Sequence, residues 1–318
     1  MSDKLEKINK LEENIRAMEE ELLKYQDLFL ANDGVIYKAE QNMLDDMFAV
    51  VNDAVEALFV QKGKLPPEIT FAVFMAGKYK KTNYVPLTGI GLFDINLTTS
   101  DGRLEILTKV KFDFIDGNPT KFAGKKKESN IWSTSEKKKW AAEYITLIEG
   151  RWGGKYHFIH PDMIGVTAFV DVEVEEVASG WHYELNITKI PEGDFKGSDV
   201  SHFIDKSGKA LAKTDKHQGN FDSEDMDWKH KGTSVKESQM GSVHEYGHMV
   251  GLDDEYSDSD PGKIAHQTLV RDALGTVLVE GNYQDVMSVG NHIEKQHYVT
   301  FLAALKDVTG LKKWQFKK

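Results

Sequence analysis

Ser242-Val243-His244-Glu245-Tyr246-Gly247-His248-Met249-Val250-Gly251-Leu252-Asp253-Asp254-Glu255-Tyr256 is the stretch on which the reading of this chain turns. The apolar spacing through Met240, Val243 and Val250 predicts a helix here, with Thr233 or Ser234 as its cap. Histidines four apart on a helix lie about 40° apart around the axis, one turn displaced. The imidazoles of His244 and His248 can therefore point at one ion. Glu245 stands beside His244 and reaches a water on that ion rather than the ion itself. Gly251 follows three residues after His248, where a helix can stop in a left-handed turn. The chain can then turn back and bring Asp254 to the same ion, with Asp253 and Glu255 as neighbouring competitors. Zinc suits two neutral imidazoles and a carboxylate, and it keeps an open position for chemistry. Glu245 would then serve as general base and acid in attack on a carbonyl.

Further along the chain stands Asp285-Val286-Met287-Ser288. The two features together, HExxHxxGxxD at 244–254 and a Met-containing turn at 285–288, resemble the zinc motif and Met-turn of metzincin metallopeptidases. The resemblance implies metal ligands His244, His248 and Asp254, with Glu245 as the catalytic residue and Met287 as a soft apolar floor. It covers residues 244–290, and the first 120 residues have no counterpart in it. The chain departs from the family in using Asp as the third ligand. Val289 also stands where many members carry a tyrosine. Tyr256, Tyr283 and Tyr298 are the substitutes to weigh for that tyrosine. The class with a glutamate ligand on a later helix fits less well, since Glu280 and Glu294 lack its pattern.

Working outward, an apolar helical stripe starts at Trp140, Tyr144, Leu147, Ile148 and Trp152, capped by Ser133 or Ser135. Lys137-Lys138-Lys139 reads as its solvated face. Strands are predicted at 69–75, 90–98, 104–114, 166–174 and 181–190, with a hairpin at Asp101-Gly102. Residues 192–233 read as irregular, with Asp222, Glu224, Asp225 and Asp227 as solvated loop. A last helix is predicted at 294–308. His217, His230, His266, His292 and His297 read as surface or hydrogen-bonded structural histidines, and Asp258 and Asp260 as cleft rim. The tryptophans read as core or platform residues.

The first thirty residues carry Ile8, Leu11, Ile15, Met18, Leu22, Tyr25 and Phe29 at alternating spacings of three and four, a seam of about three heptads. Asp33-Gly34 stops it, and a second helix is predicted over 37–61, carrying Met43, Met47, Val51 and Val55. The seam pairs two chains or folds back on the second helix. The second option is preferred, because three heptads are marginal for a free coiled coil. The expected architecture is α+β. Residues 1–65 form a helical hairpin or coiled coil, 66–122 a β-rich section, and 123–318 a metzincin-like domain with mixed sheet, active-site helix and Met-turn.

Composition narrows the function. The chain has 318 residues and a formal net charge of -11, which disfavours nucleic acid as the main partner. It has no cysteine, which removes thiolate metal sites, a cysteine nucleophile and disulfides. The N-terminus reads as no secretory signal, and no apolar run is long enough to span a bilayer. The expectation is a cytoplasmic protein as synthesised, with any export by a signal-less route. The function implied is zinc-dependent hydrolysis of a peptide or protein substrate. A non-catalytic zinc-containing component of a larger assembly and an exported effector peptidase are the alternatives. The N-terminal helices offer a route to self-association.

Overall fold

A computed structural model of the chain describes residues 74–118, 130–163, 166–192, 194, 196–200, 217–227, 229–230, 238–255, 261–278 and 283–317, together with scattered positions between 10 and 54. The architecture is α+β around a mixed sheet with nine strands among the described residues. The strands of that sheet are β1 (Tyr79–Tyr84), β2 (Phe93–Thr98), β3 (Arg103–Ile115), β4 (His157–Ile159), β5 (Thr167–Glu176), β6 (Tyr183–Thr188), β7 (Asp199–Val200), β8 (Gln218–Asp222) and β11 (Gln315–Phe316). The short strands β9 (Lys229–His230) and β10 (Ser238–Gln239) pair separately. Among the described residues the helices with defined bounds are α1 (Thr134–Trp152), α2 (Gly241–Met249), α3 (Pro261–Leu274) and α4 (Val299–Thr309), and α4 is preceded by a 3-10 turn over Lys295–Tyr298.

Strand β3 organises the sheet. One edge pairs in parallel with β5, from Arg103↔Phe169 to Val110↔Glu176. The other edge takes β2 antiparallel over its first half and β6 parallel over its second. Leu104, Ile106, Thr108 and Val110 alternate toward the core, as period-two patterning requires. The section before residue 122 thus shares one sheet with the residues after it. The Asp101-Gly102 signal lies in the β2–β3 hairpin, where Gly102 takes φ 75° and its N–H bonds the Thr98 carbonyl.

Helix α1 begins in a capping box: Glu136 N–H donates to Ser133 Oγ, and Ser133 N–H donates to the Glu136 carboxylate. Its Trp140, Tyr144, Ile148 and Trp152 are buried, and α1 packs on β5. Lys138 and Lys139 are exposed. Helix α4 packs on β1, β2 and α3, with Phe301 meeting Phe93 edge to face at 5.9 Å.

Several expectations needed correction. Phe74 and Met75 are helical rather than extended, and Phe74 stacks on Tyr79 at 5.3 Å; the rest of 69–73 lies outside the described residues. Residues 192–233 are not wholly irregular, because β8 adds to the sheet in parallel with β6. Asp222 and Asp225 are buried, not solvated. Asp222 accepts from the N–H groups of Glu224 at 2.7 Å and Lys196 at 2.9 Å, and Asp225 accepts from Asp222 N–H at 2.6 Å. They knit the backbone in front of α2, which a solvated loop has no need to do.

The described N-terminal positions are helical, with Ile15 and Val51 joining the main core and Leu11 and Met18 packing against it. Met43 is exposed. The Asp33-Gly34 stop and the remaining seam residues Ile8, Leu22 and Phe29 lie outside the described residues. Among the described residues no helix is long and apolar enough to cross a membrane.

Candidate metal centre

Helix α2 is buried along its whole length, which is unusual for a helix of a globular protein. Large side chains hold it in place. Trp152 Nε1 donates to Val243 O at 3.2 Å, Tyr183 Oη to Met249 O at 3.1 Å, and Tyr246 Oη meets Thr108 Oγ1 at 3.1 Å. Its start differs from the expected one. The helix begins at Gly241 with Met240 at the cap, while Thr233 and Ser234 lie outside the described residues. No side chain of its own caps it. Instead Met240 N–H donates to Asn291 Oδ1 at 3.0 Å and Ser242 N–H to Asp225 O at 3.0 Å, so distant residues satisfy the free N–H groups.

The helix stops where the glycine demanded. Gly251 takes φ 98°, and Leu252 N–H reaches back to Gly247 O at 2.9 Å. The Gly89–Leu92 turn lies against this exit. A Cβ on Gly91 would strike the Gly251 backbone, and Leu92 N–H donates to Met249 O at 2.9 Å. On the other side Met287 is fully buried, and a Cβ on Gly247 would collide with its sulfur.

This turn brings Asp254 to the histidines. Asp254 Oδ1 lies 3.2 Å from His244 Nε2 and 3.4 Å from His248 Nε2, and the two rings stand 4.9 Å apart at 86°. The other ring nitrogens decide what these atoms are. His244 Nδ1 lies 2.7 Å from Val286 O, and His248 Nδ1 lies 2.9 Å from Leu252 O. A carbonyl only accepts, so each Nδ1 carries the hydrogen. Gln239 Nε2 also approaches His244 Nδ1, but its two hydrogens serve Val286 O at 3.1 Å and Ser288 O at 2.9 Å. In the neutral rings both Nε2 lone pairs therefore face the carboxylate oxygen. Three acceptors at this spacing need a cation among them, and these residues could hold a metal ion.

The charges agree. Burial works against an imidazolium, but Asp254, Glu245 and the Leu252 carbonyl outweigh it and lift His248 to about 9. Burial also works against the Asp254 carboxylate, yet the two imidazoles hold it far below the ordinary range. Without a metal, the site takes up a proton in its place. Glu245 is buried beside His248 and makes no hydrogen bond with any described residue. A carboxylate in that position can accept a proton.

The neighbouring residues go elsewhere. Asp253 Oδ1 accepts from Asp254 N–H at 2.8 Å. Glu255 turns away into a second cluster with Asp285 and His297. Glu255 Oε1 lies 3.1 Å from His297 Nε2, and Gln296 Nε2 donates to Glu255 Oε1 and to Asp285 Oδ2, each at 2.9 Å. Here Glu294 N–H donates to His297 Nδ1 at 2.7 Å. An N–H only donates, so His297 carries its hydrogen on Nε2 and gives it to Glu255. That nitrogen has no lone pair for a metal. Burial would raise Glu255, but His297, His266 and Gln296 hold it below its usual value. Of the two alternatives for His266 and His297, surface or hydrogen-bonded structural, the second holds: both are fully buried and hydrogen-bonded, and burial takes His266 down to about 4. This second cluster gave no signal in the sequence, since its members follow no ligand spacing.

Of the tyrosines, Tyr298 is buried with its hydroxyl donating to Trp152 O, Tyr283 is exposed, and Tyr256 lies outside the described residues. Asp258, Asp260 and the side chain of His230 also lie outside them. Comparisons of this chain with protein-family models, with curated proteins and with solved structures gave no match.

Proposed function

We propose that this chain is a zinc-dependent metalloendopeptidase with a metzincin-like centre. The observation that carries the reading is the donor set: His244, His248 and Asp254 converge through atoms that only accept, because both Nδ1–H groups are spent on backbone carbonyls. Two imidazoles and one carboxylate suit zinc better than harder ions, which prefer oxygen ligands. When bound, zinc supplies Lewis acidity, polarising a carbonyl and easing loss of a proton from water. Val286 O and Leu252 O hold the two imidazoles in the ligating tautomer. Glu245 takes the proton from the attacking water and returns it to the leaving nitrogen of the peptide. Among the described residues nothing hydrogen-bonds its carboxylate, which suits that traffic. It also speaks against a purely structural metal, which needs no base. The substrate class is a peptide or protein segment.

Two measurements on the purified chain test this. Metal analysis is expected to find about one zinc per chain. Hydrolysis of an unstructured protein such as casein is expected to fall at least about 10²-fold in Glu245→Gln, with zinc content unchanged. Undiminished hydrolysis in that variant would remove the mechanism.

A further inference from the structure

One side chain bridges the two carboxylates of the second cluster. Gln296, in the 3-10 turn before α4, places Nε2 2.9 Å from Glu255 Oε1 and 2.9 Å from Asp285 Oδ2. Turned the other way, its carbonyl oxygen would face both carboxylates, so the bonding assigns the nitrogen here. Glu255 and Asp285 are both buried, and two like charges this close in a low-dielectric place repel. The amide answers each with one hydrogen, and His297 adds a third donor at Glu255.

Each carboxylate is tied to a part of the metal centre. Glu255 directly follows the ligand Asp254, and its N–H donates to Met287 O at 2.8 Å. Asp285 opens the turn in which Ser288 N–H and Gly290 N–H return to its carbonyl, at 3.0 and 3.1 Å. That turn presents Val286 O to His244 Nδ1 at 2.7 Å. We propose that Gln296 is a positioning residue of the metal centre: by clamping Glu255 to Asp285, it fixes the third ligand relative to the turn that orients His244. The proposal rests on the metal-centre reading above. It adds that the C-terminal segment, which contributes no ligand, sets the geometry of the ligands.

Gln296→Met removes both donors and keeps the bulk. Gln296→Lys restores a donor head that can serve both carboxylates. Cobalt(II) is the probe, with affinity taken from competition with a chelator and geometry from visible absorption. Gln296→Met is expected to bind cobalt about 10- to 100-fold more weakly and with an altered spectrum, as outer contacts of metal ligands do. Gln296→Lys is expected to recover most of both. A purely structural role would lower stability without moving the spectrum. A folded Gln296→Met with parental affinity and spectrum overturns the clamp and leaves the metal centre standing. A parent chain that binds neither cobalt nor zinc overturns the metal-centre reading itself, and the clamp with it. Should Gln296→Met fail to fold, Asp285→Leu keeps most of the bulk and removes the acceptor that Gln296 holds. A several-fold loss of affinity is expected there, and parental affinity would overturn the proposal.

Discussion

His244–His248–Asp254 and Glu255–Asp285–His297 each combine histidine with carboxylate and are buried apart from the half-buried Asp254, and Asp254 and Glu255 are neighbours in the chain. Counted as ligands they look equivalent. They differ in what the backbone offers to Nδ1. Carbonyls of Val286 and Leu252 face the first pair of rings, whereas the N–H of Glu294 faces His297. With its rings neutral the first cluster is left with lone pairs and no hydrogens, while the second has a hydrogen for its carboxylate. One becomes a place for a cation and the other a finished hydrogen-bond network. Main-chain polarity, not side-chain inventory, separates them.

The sharpest way to break this contrast is the same substitution in both. Glutamine has no imidazole lone pair but keeps an N–H. His248→Gln is expected to lose most of the bound metal. His297→Gln keeps a donor for Glu255 and is expected to retain one metal per chain at saturating zinc, with a stability loss of about 1–3 kcal/mol. Metal analysis and denaturant unfolding read both effects. A folded His297→Gln that is as metal-free as His248→Gln would show that the two clusters are one site.

Acid distinguishes them next. His248 is raised to about 9 in the metal-free chain, so at neutral pH an incoming metal must displace a proton. Affinity is expected to rise about tenfold per pH unit up to about 9 and then level off. Calorimetry in buffers of different ionisation heat should find about one proton released at pH 7. No release would mean the ring is already neutral. His266, beside the other cluster, moves the opposite way, to about 4 by burial. It stays neutral through the range in which His248 titrates. Its unfolded value is about 6.5, so between 6.5 and 4 the unfolded chain binds the proton and the folded chain does not. Stability therefore rises with pH across that window and is lost on acidification. The denaturation midpoint of the metal-free chain should fall from pH 6.5 to pH 4.

How much of this was legible follows from the range of each interaction. Helix α1 could be read directly, because the Ser133–Glu136 box and the stripe from Trp140 to Trp152 are local. The approach of Asp254 to His244 and His248 could also be read, since one glycine turn controls it. Strand β8 could not. Its sequence QGNFD holds one large apolar residue, Phe221, and its place depends on pairing with β6. The true start of α2 was hidden because Asn291 and Asp225 satisfy it from afar. The Glu255 network was hidden for the same reason: nothing near Glu255 in sequence announces Gln296 or His297.

The smallest expected effect concerns the two adjacent aspartates, and it tests the register on which the contrast rests. Asp254 Oδ1 faces both imidazoles, whereas Asp253 Oδ1 accepts the N–H of Asp254 itself. Asparagine keeps a carbonyl oxygen at either position. At Asp253 that oxygen can go on accepting the N–H, so the loop keeps its shape. Zinc affinity in Asp253→Asn should stay within about the lower end of the 10- to 100-fold range typical of outer contacts. Asp254→Asn removes the charge that faces two ligands and should exceed that range. Chelator competition on the two folded variants measures the difference. If Asp253→Asn proves the more damaging, the carboxylate that completes the site is not Asp254, and the turn after Gly251 must present its neighbour instead.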